Sequence, residues 1–185
     1  YQAALNAASS GIADLAGNSL ATDAADAWLV EPSPPTVDII DVTPDPRNAA
    51  VSSVQIVFSE PVLGFDLSDL SLTRNGGANL LTGANGLTTA DNITWTLEAL
   101  GPLTGVSGQY LLTLTAAGSG ITDAGSSPLA DGASEAWTTD THAPIASVTP
   151  VAPDPRNAAV SSVEIVFDEP ISGFDLADLQ LTRDG

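Results

Sequence analysis

Cysteine, methionine and lysine are all absent from this 185-residue chain. Without cysteine there are no disulfides, no thiolate metal ligands and no cysteine nucleophile. Without lysine there is no Schiff-base chemistry and no cross-link through a lysine amine. Histidine occurs once, as His142. A Ser-His-Asp arrangement needs its histidine held rigidly beside a nucleophile, and a zinc site needs more nitrogen or sulfur ligands than one imidazole supplies. Positive charge is scarce too: four arginines stand against 23 acidic residues, a net charge of −19. That balance excludes nucleic acid and anionic membrane as partners, since both need a basic surface. No apolar run reaches the length of a membrane span. An enzyme is therefore not expected.

What is present is repetition. Pro44-Asp-Pro-Arg-Asn-Ala-Ala-Val-Ser-Ser-Val-Gln-Ile-Val-Phe58 returns 109 positions later as Pro153-Asp-Pro-Arg-Asn-Ala-Ala-Val-Ser-Ser-Val-Glu-Ile-Val-Phe167. The same offset carries Tyr1 onto Tyr110, Trp28 onto Trp137, Arg47 onto Arg156 and Arg74 onto Arg183. There are 41 identities over the 76 overlapping pairs, without a gap. A fixed period marks a modular array, and a period near 100 residues suits one β-sandwich domain rather than a solenoid turn. The expected division is 1–34 as the tail of one repeat, 35–143 as a whole one and 144–185 as the head of the next, a window cut from a longer array.

Strand signals agree with this division. Val54, Ile56 and Phe58 alternate with outward positions, and position 55 is Gln in one copy and Glu164 in the other. The remaining strands are expected at Val37–Thr43, Leu70–Arg74, Asn79–Thr82, Asn92–Leu97, Tyr110–Ala116 and Ser134–Thr139. Gly-, Pro- and Asp-rich turns separate them, and no segment carries a convincing helical period. The linkers Glu31-Pro-Ser-Pro-Pro35 and Asp140-Thr-His-Ala-Pro144 are stiffened by proline, which suits a semi-rigid rod. The fold class read here is all-β: tandem antiparallel sandwiches strung as beads on a rod.

Several motifs now carry a resemblance. Val54-x-Ile-x-Phe58-Ser-Glu-Pro-Val62, Gly64-Phe65-x-x-x-Asp69-Leu-x-Leu72, Gly108-x-Tyr110-x-Leu-x-Leu114 and Trp137 followed by Asp140-Thr-x-x-Pro144 resemble bacterial Ig-like repeats of large secreted or surface-anchored proteins. The resemblance implies an extracellular spacer or adhesive array, often stiffened by Ca²⁺, whose partners are neighbouring repeats or a surface glycan or protein. Ile12-Ala-Asp14-Leu-Ala-Gly17-Asn18 shows the usual Asp-x-x-Gly-Asn turn, whereas Asp123-Ala-Gly-Ser-Ser127 departs from it.

Individual residues can then be weighed. Tyr110 sits where Ig-like folds place a buried tyrosine corner. Trp28 and Trp137 suit core or rim packing. The face of Trp95 is open, and if exposed it is the best sugar-stacking candidate. Arg74 is expected to reach Asp45. Calcium is the one cofactor with candidate ligands. In an Ig-like sandwich the loop with Glu60, Asp66 and Asp69 meets the loop with Asp123 and Asp131, and the entering linker adds Glu31. Asp140, Glu169, Asp175 and Asp178 form the matched set at the next junction. Oxygen ligands converging from three segments are what Ca²⁺ requires; the alternative is that these carboxylates cap turns and face solvent.

Overall fold

Alternation in Val54–Phe58 produces a strand whose odd members face solvent and whose even members face a core. The computed structural model, which describes residues 1–30 and 33–183, places Val54, Ile56 and Phe58 at 4 % exposure or less while Gln55 is exposed. This strand, β4, is the second of seven between residues 37 and 139. The others are β3 (Val37–Ile39), β5 (Leu70–Arg74), β6 (Leu87–Thr89), β7 (Thr94–Leu97), β8 (Gly108–Leu114) and β9 (Ala133–Thr139). Between residues 37 and 139 helical structure is limited to single turns at Leu67–Asp69 and Gly101–Thr104. The fold is mostly β, in antiparallel sheets.

Two sheets result. One runs in the order β3-β4-β7-β6 and the other β5-β8-β9. Ile56 stands opposite Trp95 and Val54 opposite Leu97 in the first; Leu72 faces Leu112, and Tyr110 faces Trp137, in the second. Buried side chains of both sheets belong to one hydrophobic cluster. A parallel bridge between Arg47 and Thr139 and a hydrogen bond from Val42 N to Glu135 Oε1 (2.8 Å) tie the two sheets at their margins.

Two strand expectations are corrected. Asn79–Thr82 is not a strand, because the Asn79 side chain takes over the backbone's partners. Its Oδ1 accepts from Leu72 N and Leu81 N, both at 3.0 Å. The strand in that region is β6, where Leu87-Thr-Thr89 pairs with β7. The first strand stops at Ile39 rather than Thr43, since the chain leaves β4 and hands its Val42 amide to Glu135 across the sheets.

Tyr110 is 1 % exposed, and its hydroxyl donates to Val106 O at 2.7 Å, with Leu103 O at 3.2 Å. The corner reading holds. Tyr110→Phe is expected to cost about 1 kcal/mol, the net worth of a typical buried hydrogen bond. Urea denaturation with unchanged slope and a lower midpoint would show it; an unchanged midpoint would remove the corner's role.

The remaining strands form two further two-stranded sheets. β1 (Gln2–Leu5) pairs with β2 (Ala24–Ala27), and β10 (Ala146–Val148) with β11 (Ile165–Phe167). By compactness the chain divides into two units, up to Asp140 and from Thr141 onward. Local geometry returns at the sequence offset. Arg47 Nε donates to Ala49 O and Arg156 Nε to Ala158 O, at 2.6 and 2.8 Å. The rings of Phe58 and Phe65 meet edge-on at 5.1 Å, those of Phe167 and Phe174 at 5.2 Å. Tyr110 stacks on Trp137 at 5.5 Å, and Tyr1 on Trp28 at 6.0 Å.

Candidate functional site: the acidic turns

The carboxylates singled out above are used mainly by their own backbone. Asp66 precedes the single turn Leu67–Asp69 and closes a capping box. Its Oδ1 accepts from Ser68 N (2.7 Å) and Ser68 Oγ (2.6 Å), while Asp66 N donates to Asp69 Oδ2 (2.9 Å). Asp175 and Asp178 repeat the arrangement around Leu176–Asp178, with Ala177 N donating to Asp175 and Asp175 N to Asp178. Short acidic side chains satisfy the amides that a helical turn leaves unpaired at its start, which is why Asp is placed there.

The other candidates are spread out. Glu60 is half-buried after β4, Asp140 is half-buried after β9 and Asp131 is exposed. Glu169 lies 3.4 Å from Nδ1 of His142. Glu31 is outside the described residues. Among the described residues no three His, Asp or Glu side chains come close enough together to hold a metal ion. Calcium needs six to eight converging oxygens, and the described carboxylates do not form such a cluster.

Arg74 makes no ion pair with Asp45. Asp45 Oδ1 instead accepts from Thr138 N at 2.7 Å, fastening the 44–48 turn to the last strand. Trp95 is half-buried, its ring edge-on to Phe65 at 5.1 Å, so it packs against the core rather than offering a stacking platform.

One residue was underread from sequence. Asp123 is 1 % exposed; its Oδ1 accepts from Ser127 N at 2.7 Å, but its Oδ2 meets no donor among the described residues. The matched Asp14 shows what is missing. There Oδ1 accepts from Ala16 N and Asn18 N, and Oδ2 accepts from Asn18 Nδ2 at 2.8 Å. Serine at 127 keeps the backbone part of the turn and deletes the amide that served the second oxygen. The Asn-to-Ser departure was visible in sequence, but burial at the second site was not.

Titration follows these contacts. The Asn18 amide, and then the backbone amides around it, hold Asp14 below the ordinary 3.8. The Ser68 hydroxyl and amide do the same for Asp66, and the Thr94 and Ile93 amides for Asp91. Burial pushes Asp69 up; the Asp66 amide opposes this and the Asp66 charge adds to it. A depressed carboxyl contributes stability that is present above pH 3.8 and is lost as pH falls through its lower folded value. Asp69 has the opposite sign: its carboxyl is raised above the ordinary value, so its protonation favours the folded form. The melting temperature is thus expected to stay level or rise slightly as pH approaches 4, then fall below it. Circular dichroism melts across that range test this, and a Tm that declines steadily from neutral pH would contradict it.

Comparisons with known proteins add little. No protein-family model matches the chain, and no curated protein sequence does. A solved structure, the crystal structure of the N-terminal part of the bacterial S-layer protein SbsC, is similar at a TM-score of 0.39 and 17% identity. The match covers 62% of this chain and 25% of that one, so the chain spans about a quarter of its length. Among the described residues no helix is long and apolar enough to cross a membrane.

Proposed function

We propose that this chain is a non-catalytic structural segment of a long extracellular stalk, fibre or filament, built from Ig-like β-sandwich repeats of 109 residues. Its parts are 1–34, 35–143 and 144–185, and its partners are neighbouring repeats. The observation that carries this reading is the return of local geometry at the sequence period: strand pairing, capped turns, arginine clamps and ring pairs all recur 109 residues on. Two further points support it. The acidic side chains mostly hold turns rather than converge on a pocket, and Trp95, the best candidate for glycan stacking, is packed against the core. The adhesive alternative keeps no comparable observation.

A stalk module should resist tension as one cooperative unit. Pulling the chain between handles is expected to give one dominant unfolding event. Its contour gain should approach about 360–390 Å for 109 residues at 3.3–3.6 Å each, less the folded length. Gradual extension without such an event would count against a load-bearing repeat.

A further inference from the structure

Asn-Gly is favoured in tight turns, and it is also prone to lose its side-chain amide, because glycine puts no Cβ in the way of the backbone nitrogen that attacks. The chain has two such pairs, Asn75-Gly76 and Asn85-Gly86. The fold treats them differently. Asn75 and Gly76 form the turn after β5, with φ of +51° and +69°, and Gly77 N donates to Arg74 O at 2.9 Å. Both residues are exposed and border a cleft shared with Gln109 and Thr138. Asn75 Oδ1 accepts from Gln109 N at 2.9 Å, while Asn75 Nδ2 and the Gly76 N–H meet no acceptor among the described residues. A Cβ at Gly108 would lie 3.0 Å from Asn75 Oδ1 and 3.1 Å from Arg74 Cδ, so the arginine runs past that oxygen. Asn85 Oδ1 also accepts an amide, from Thr82 at 2.9 Å. Its Nδ2, however, is held by Ala99 O at 3.1 Å and Glu98 O at 3.4 Å, and the residue is half-buried. A Cβ at Gly86 would lie 3.2 Å from Glu98 Oε2, so a carboxylate stands beside that glycine.

We propose that Asn75 is a site of spontaneous deamidation in the folded protein. Hydroxide takes the Gly76 amide proton, and the nitrogen attacks Asn75 Cγ. The new N–Cγ bond closes a cyclic imide, the Cγ–Nδ2 bond breaks, and ammonia leaves with a proton from water. Water then opens the ring. Attack at Cγ gives aspartate; attack at the Asn75 backbone carbonyl carbon gives an isoaspartyl linkage with a longer main chain. In sum a water is consumed and an ammonia released. Negative charge develops on Oδ1 during the attack. The Gln109 amide already points at that atom and Arg74 lies beside it, an arrangement that stabilises an oxyanion. At Asn85 the leaving nitrogen is tied to two carbonyls, and the Glu98 charge opposes loss of the Gly86 proton. Aspartate also suits position 75. Its carboxylate keeps the Gln109 N–H in a charge-assisted bond, and the matched position 109 residues on is already aspartate, Asp184, followed by Gly185.

Peptide mapping by mass spectrometry on the full folded chain, held at mildly alkaline pH, tests the proposal. Asn75 should convert several-fold faster than Asn85, at a rate proportional to hydroxide. In urea the two sites should react alike. Arg74→Gln should slow conversion at Asn75 several-fold and Arg74→Lys should restore much of it, with Asn85 unaffected by either. A chain carrying Asn75→Asp should melt at or above the parent's temperature. Equal rates at the two sites of the folded chain overturn the proposal. So does an Asn75 that stays intact when folded but reacts in urea, since the turn would then protect it. An Arg74→Gln chain that converts as fast as the parent overturns the role given to the arginine.

Discussion

Trp137→Ala is expected to cost about 3–5 kcal/mol, the range for deleting a buried large aromatic side chain. Trp137 is 2% exposed and lies flat on Tyr110, with rings 5.5 Å apart and 11° between planes. Its removal takes away the apolar area of the indole and leaves a cavity beside a ring that cannot follow it. Against a typical total of about 5–15 kcal/mol, that loss would bring the body close to unfolding. The indole N–H has no acceptor among the described residues, so the loss is one of packing. Trp137→Phe should accordingly recover most of it. Trp28 supplies an internal control: it holds the matched position but is 48% exposed. In dilute solution Trp28→Ala should stay within about 0.5 kcal/mol of the parent, as surface changes usually do. Urea denaturation of the variants measures all three, and equal costs at 28 and 137 would contradict the structure.

Ser127→Asn is expected to work in the other direction, raising stability by about 1–3 kcal/mol, the penalty of an unpaired buried polar group. The backbone of the turn is already suited to it. Asp123 N donates to Ser127 O at 3.1 Å where Asp14 N donates to Asn18 O at 2.9 Å, and the bonds to Oδ1 from Ser127 N and Asn18 N agree as closely. Two contacts are missing: the counterpart of the Ala16 N bond to Asp14 Oδ1, and the amide that would reach Asp123 Oδ2. Ser126 holds a φ of +69° where Gly17 has +88°. Adding Ser126→Gly should therefore contribute about 1 kcal/mol more by relieving a left-handed residue. For a body of this size about 1 kcal/mol shifts Tm by roughly 4–8 °C, so calorimetry resolves each step. If Asp123→Asn raised stability as much as Ser127→Asn, the cause would be the buried charge rather than the missing donor.

What could be read from the sequence was whatever depends on period and near neighbours. The strand Leu70–Arg74 was legible to the residue and that of Val54–Phe58 by its alternation, since turn residues follow both. Tyr110 was legible because a glycine and two leucines at fixed spacing surround it. The strand at Leu87–Thr89 was not, because a single side chain, Asn79, competes for the amides of the segment that looked more strand-like. Trp95 shares parity with the fully buried Leu97, but whether Phe65 would reach it depended on a turn thirty residues away. Arg74 and Asp45 illustrate the same limit: topology brings loops to one end, but the nearest donor to Asp45 was the Thr138 amide. Among the acidic residues, composition alone could not separate turn caps from ligands, because both uses favour a short carboxylate.

The body closes only when its last strand arrives. Val42 is fastened to Glu135 and Asp45 to Thr138, each pair 93 residues apart along the chain. On a ribosome adding roughly 5–20 residues per second, that span takes roughly 5–19 s to emerge. Until then the Val54–Phe58 strand waits without Trp137 above the core it shares. Once residue 139 is out, the body has all its partners before Val163–Phe167, a near-copy of its second strand, has emerged. Vectorial synthesis thus sorts two almost interchangeable strands by time. Refolding from denaturant presents both at once, and mispaired forms should be populated there that synthesis avoids.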